Sequence, residues 1–224
     1  MHAMRARKPD VLAELAGRQY GIVSRSQLTA LGLDRGWVQR SVAEGQLLRL
    51  HRGVYAVGHR APRREARWLA AVLACGPDAV LSHRSAAELW RIGGASGVPE
   101  VTLPRRIRPR GIVAHEAALA AADKALNGNI PLTSPARTVV DLAHVLAERD
   151  VERLVREAYF RKLVSAATLR DALTRRPSRL IRELLDDLNP TQSRLEDAFL
   201  RLCRRFRIPA PEAQLRAGRR RPDF

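Results

Sequence analysis

The sequence predicts an α+β fold, mostly helical, that opens on a winged helix-turn-helix. Three observations predict it. Apolar residues recur at helical spacing over most of the chain. Cap-and-glycine pairs cut the N-terminal segment into a helix, a short helix, a tight turn and a third helix. Two short alternating runs, separated by an Arg-Gly pair, follow directly.

Taken in order, the spacing predicts a first helix over 10–19, with Val11, Leu12, Leu15 and Ala16 on one face. Ser24 is placed to cap a second helix over 25–31, and Gly32 to end it. Asp34 caps a third helix over 35–44, closed by Gly45; Val38 and Val42, four apart, should turn inward. Strands are expected over 47–51 and 54–57, with Arg52-Gly53 at the turn. A long helix over 62–75 should carry Pro62 in its first turn, and Ser82 should cap a helix over 83–90. Strand-like runs over 98–103 and 112–115 flank Arg105, Arg106, Arg108 and Arg110. Ser134-Pro135 opens a helix expected to run to about 147, and helices over 151–162, 166–174 and 179–188 follow. Asn189-Pro190 is the sharpest break; beyond it, Thr191 or Ser193 caps a helix through 207. Four segments result: a winged helix-turn-helix over 1–60, a small mixed α/β middle domain over 61–147, a helical connector over 148–188, and a C-terminal segment over 189–224.

Composition narrows the class. With 46% hydrophobic residues the chain can build a packed core. A formal charge of +17 favours a polyanionic partner, because each neutralised phosphate releases counterions. The excess is uneven: residues 1–60 hold 10 basic against 4 acidic side chains, whereas 116–188 hold 12 against 11 and suit phosphate poorly. Cys75 and Cys203 lie in apolar helical patterns and read as buried thiols rather than a metal or disulfide pair. No leader-like apolar segment follows the N-terminus, and the longest apolar run, 68–75, is too short to span a bilayer. A soluble cytoplasmic protein without a membrane partner is expected.

Chemistry-bearing residues concentrate in two places. On the third helix the outward residues are Arg35, Gly36, Gln39, Arg40 and Ala43. Arg can bind guanine and Gln adenine with two hydrogen bonds in the major groove, so double-stranded DNA is the expected partner. Trp37, at the edge, should pack. Arg49, His51 and Arg52 on the hairpin would meet phosphate or the minor groove. A solvated basic helix in an ordinary three-helix domain is the plainer alternative. His83 has no Cys or carboxylate at metal-ligand spacing and should cap or pack. Arg137 and Asp141, four apart, should form an ion pair along one helix. No HExxH, phosphate-binding GxxxxGK[ST] or dinucleotide GxGxxG pattern occurs, so no cofactor is expected.

The stretch SRSQLTALGLDRGWVQRSVAEGQLLRLHRGVYAVGH, from Ser24 to His59, resembles the N-terminal domain of the AbiEi-family antitoxins of type IV toxin–antitoxin systems. LSHRSAAELW (81–90) and IPLTSPARTVVDLAHVL (130–146) are similar to the blocks that follow in that family. The resemblance covers about residues 7–150. It implies a DNA-binding autorepressor and an antitoxin that opposes a nucleotidyltransferase toxin without stable contact. A toxin-neutralising interaction module is a further reading. Residues 189–224 resemble the opening of the very-short-patch-repair-like endonuclease domain of the PD-(D/E)XK superfamily. That resemblance matches Glu196 to the family's helix Glu and Asp223 to its first metal-binding Asp. It implies, as an alternative function, a Mg²⁺-dependent DNA endonuclease. A complete domain would need a second strand with another acid to hold the ion. The segment stops at Phe224, so it is expected to be truncated, its catalytic pair vestigial, and the chain to lack this activity.

Overall fold

The computed structural model describes residues 8–58, 62–94 and 97–188. Its first compact unit ends at Ile181, and a second begins at Arg182.

Helix α1 (Lys8–Arg18) buries Leu12 and Ala16 and pairs Arg18 with Glu14 on its outer face. A short strand that the sequence reading missed, β1 (Ile22–Ser24), follows, then α2 (Arg25–Ala30) and α3 (Arg35–Ala43). Strands β2 (Leu47–His51) and β3 (Val54–Val57) lie where the alternation puts them. All three strands are antiparallel, in the order β1-β3-β2. Leu12, Val23, Leu28, Leu33, Val38, Leu47 and Tyr55 close one core beneath the helices. Trp37 packs against its edge, as expected.

Helix α4 (Arg64–Cys75) buries residues around nearly its whole circumference, including Trp68, Leu69, Ala71 and Cys75. It packs against all three strands of the first sheet and against β4 (Val80–Leu81), β5 (Glu100–Leu103) and β8 (Ile130–Thr133) of a second. Ile22, Val54 and Ala56 therefore share one hydrophobic cluster with Leu69, Leu81, Val101 and Leu132. Each buried Ile, Leu or Val of this cluster contributes roughly 1.5–3 kcal/mol. The helix starts later than expected: Arg63 is the extended N-cap residue, so Pro62 precedes the helix instead of sitting in its first turn.

The second sheet has five strands in the order β6-β5-β4-β8-β7, adding β6 (Val113–Glu116) and β7 (Lys124–Asn127). β5 and β6 are parallel, as are β4 and β8; β7 and β8 form a hairpin around Gly128, whose φ of 57° suits glycine. Helix α5 (His83–Leu89) leaves β4, and α6 (Pro135–Leu142) leaves β8 under a Ser134 cap that accepts from the Arg137 amide. The helix expected to reach 147 stops at Leu142; consecutive turns then lead to α7 (Glu148–Phe160), with neither Gly nor Pro to mark the break. Helices α8 (Ala166–Arg175) and α9 (Arg179–Leu188) complete the described chain. No helix among the described residues is long and apolar enough to cross a membrane. Cys75 is buried, as its pattern implies, and burial pushes its thiol up to about 11.

Candidate nucleic-acid interface

The α2–turn–α3 unit is held by its caps. Ser24 Oγ accepts from the Gln27 amide, and Gln27 Oε1 accepts in return from the Ser24 amide at 2.8 Å. Gly32, with φ 72°, provides the left-handed residue that ends α2. Asp34 Oδ1 then accepts from the Trp37 amide at 2.7 Å and starts α3.

This geometry fixes which side of α3 faces out. Arg35, Gln39 and Arg40 are exposed, as the sequence reading placed them, and make no ion pair among the described residues. The inward stripe differs from the expected one. Val38 and Ser41 are buried, whereas Val42 is 37% exposed. Trp37 wedges against the core beside Val38, and the helix rolls so that the 37–38–41 edge faces inward.

The hairpin β2–β3 turns at Gly53, and its pairing register shifts between Arg49 and His51. Arg49 and Arg52 are exposed and His51 half-buried; burial lowers the His51 pKa. Arg49, His51 and Arg52 line a groove of about 820 Å³ opposite Arg108 and Arg110, from the loop between β5 and β6. The run of arginines over 105–110 signalled a basic loop; its pairing with the hairpin is a tertiary fact that spacing does not carry. Arg105 departs from the group and donates to the Cys75 carbonyl at 3.2 Å.

A second constellation lies on the β5–β6 side of the second sheet. His83 and His115 stack with centroids 3.6 Å apart and planes 17° from parallel. His115 Nε2 lies 3.0 Å from Glu100 Oε2, and Arg84 lies 3.6 Å from the other carboxylate oxygen. Ser82 is the N-cap residue of α5, as expected, but its Oγ contacts His83 Nδ1 at 3.0 Å instead of making a side-chain cap hydrogen bond. Burial first, then the neighbouring His115 and arginines, push the His83 imidazole down to about 3. His83, Glu100 and His115 have donor atoms within 4.8 Å of one another, so a carboxylate does approach His83, from 17 positions along the chain. They do not form a ready metal site. Imidazole lone pairs lie in the ring plane, and stacked rings point them side by side instead of toward one ion. The trio fits a packed, hydrogen-bonded brace.

Behind it, the Arg137–Asp141 pair is present at 2.9 Å but belongs to a larger buried network. Asp123 accepts from Arg137 at 3.0 Å and from Arg175 at 2.9 Å. Arg176 Nε comes within 2.9 Å of Asp141 Oδ1 at an angle that makes no hydrogen bond. Burial outweighs these neighbours and raises the Asp141 pKa. In front of His83 and His115, the chain leaves a cleft of about 400 Å³ lined also by Thr102, Arg106, Arg108, Asp141 and Arg176.

A capped helix-turn-helix backed by a two-stranded wing defines the winged helix-turn-helix class. Within it, residues 10–58 match the family described as transcriptional regulator, AbiEi antitoxin. Among solved structures, the chain is similar to the RV2827C protein from Mycobacterium tuberculosis, at 18% identity and a TM-score of 0.48, over 85% of this chain and 79% of that one. No curated protein matches. Glu196, Asp223 and Cys203 lie outside the described residues, and none of these matches supports a nuclease segment.

Proposed function

We propose that the chain is a DNA-binding transcriptional regulator of the antitoxin type. Helix α3 enters the major groove with Arg35, Gln39 and Arg40, and Arg49, His51 and Arg52 lie along the adjoining backbone. The observation that carries this reading is the exposed, ion-pair-free basic face of α3 within the segment that matches a transcriptional-regulator family. Arg and Gln there suit guanine and adenine edges. The wing groove, with Arg108 and Arg110 opposite, suits phosphates, which position the protein without reading sequence. The resemblance of residues 24–59 to AbiEi-family antitoxins extends this proposal to repression of its own operon and to opposition of a nucleotidyltransferase toxin without stable contact.

The test is titration of labelled duplex from the upstream region of its own gene, against scrambled duplex at fixed salt. Arg40→Ala should weaken specific binding by about 1–3 kcal/mol and leave scrambled-duplex binding nearly unchanged. Arg52→Ala should weaken both alike and flatten the salt dependence by about one unit of slope. Equal affinity of the parent chain for both duplexes overturns the sequence-specific reading.

A further inference from the structure

We propose that the cleft in front of His83 and His115 binds a small phosphorylated ligand, a phosphate monoester of about mononucleotide size. Its volume of about 400 Å³ falls in the range of small-molecule sites. The lining pairs two kinds of group. Arg106 and Arg108 are exposed and make no ion pair among the described residues, so two guanidiniums are free at one opening that Glu116 and the Asp141-paired Arg176 also line, and the two suit a phosphate dianion.

The deeper lining is unfinished. Among the described residues, four buried side-chain atoms lack a hydrogen-bond partner, and three of them belong to this cleft: Thr102 Oγ1, Asp141 Oδ2 and Arg176 Nε. Thr102 and Asp141 are each 1% exposed. Buried polar groups are ordinarily satisfied, so their concentration around one opening points to a polar occupant. Thr102 can donate or accept and Asp141 Oδ2 accepts, so the occupant needs a donor beside its phosphate, as a ribose or base has. His83, at φ 48° where L residues rarely sit, holds the imidazole stack against this opening.

Arg108 lines both this cleft and the wing groove. The phosphate can therefore come from a free nucleotide or from a DNA strand that reaches across, and the assignment of the cleft does not depend on the DNA-binding reading of α3. The experiment is calorimetric titration of the full chain with adenosine 5′-monophosphate, with adenosine and inorganic phosphate as separate arms. Saturable binding of the monophosphate, at least tenfold tighter than adenosine, is expected. Arg106→Ala should weaken it tenfold or more, and Thr102→Val, which keeps the shape and removes the orphaned hydroxyl, several-fold. Displacement of the monophosphate by a short duplex identifies DNA as the source of the phosphate; retention identifies a free ligand, and both keep the site. No saturation at millimolar concentration, equal binding of adenosine, or unchanged affinity in both variants overturns it. Unchanged monophosphate binding in Arg40→Ala separates this site from α3.

Discussion

Two sets of arginines face opposite fates in this molecule. On α3, Arg35 and Arg40 are exposed and, although Asp34 caps the same helix, form no ion pair among the described residues. Behind the second sheet, Arg137 is 3% exposed and holds two buried carboxylates, while Arg175 and Arg176 close the ring around them. The residue type is the same; the partner decides the role. A positive charge whose counter-charge is built into the fold contributes to architecture. One left without a counter-charge is available to an outside anion.

The largest expected effect breaks the buried set. Arg137→Met should leave Asp123 and Asp141 without their shared cation and destabilise the chain by about 3–5 kcal/mol in urea unfolding. Arg40→Ala in the same assay should stay within about 0.5 kcal/mol. Similar losses for the two would erase the distinction.

The second effect is pH-dependent. The His83 imidazole takes its proton near 6.5 when unfolded and near 3 when folded, so between those values the unfolded chain holds the extra proton. Stability should therefore fall as pH drops below 6.5, by about 2 kcal/mol at pH 5. His51 and His144 shift the same way, while Asp141, raised by burial, opposes it at the acid end. His83→Asn, which tolerates the left-handed backbone, should flatten the denaturation-versus-pH curve. An unaltered curve would show that another group controls it.

Smaller effects sharpen the α3 face. Ser24→Ala removes one half of a reciprocal cap and should cost about 1 kcal/mol. Val38→Thr buries an unpaired hydroxyl and should cost about 1–3 kcal/mol, against less than about 0.5 for Val42→Thr. A reversed order in thermal unfolding would restore the 38–42 stripe.

What was legible in the sequence follows the range of the interactions. Ser24, Gly32, Asp34 and Gly45 act on neighbours within four residues, and their helices begin and end within a residue or two of the expected positions. The β2–β3 hairpin is equally local. Strands β1 and β4 are only three and two residues long and exist through partners far along the chain, so no periodicity announces them. The same limit applies to chemistry. Spacing revealed the Arg137–Asp141 pair, but not Asp123 or Arg176, which meet it from other elements. It could not place Glu100 beside His83 across 17 positions. The roll of α3 was missed because a 3.6-residue period leaves 38–42 and 37–38–41 equally good stripes until Trp37 chooses between them.

Helix α4 has a mechanical consequence. Its side chains fill the space beneath the wing strands and beneath β5, which leads into the Arg105–Gly111 loop. Wing and loop are thus two jaws mounted on one bar, and the bar sets the gap between Arg52 and Arg110. A substitution at Leu69, remote from either jaw, would change that gap and alter the fit of an anion without touching a single charge.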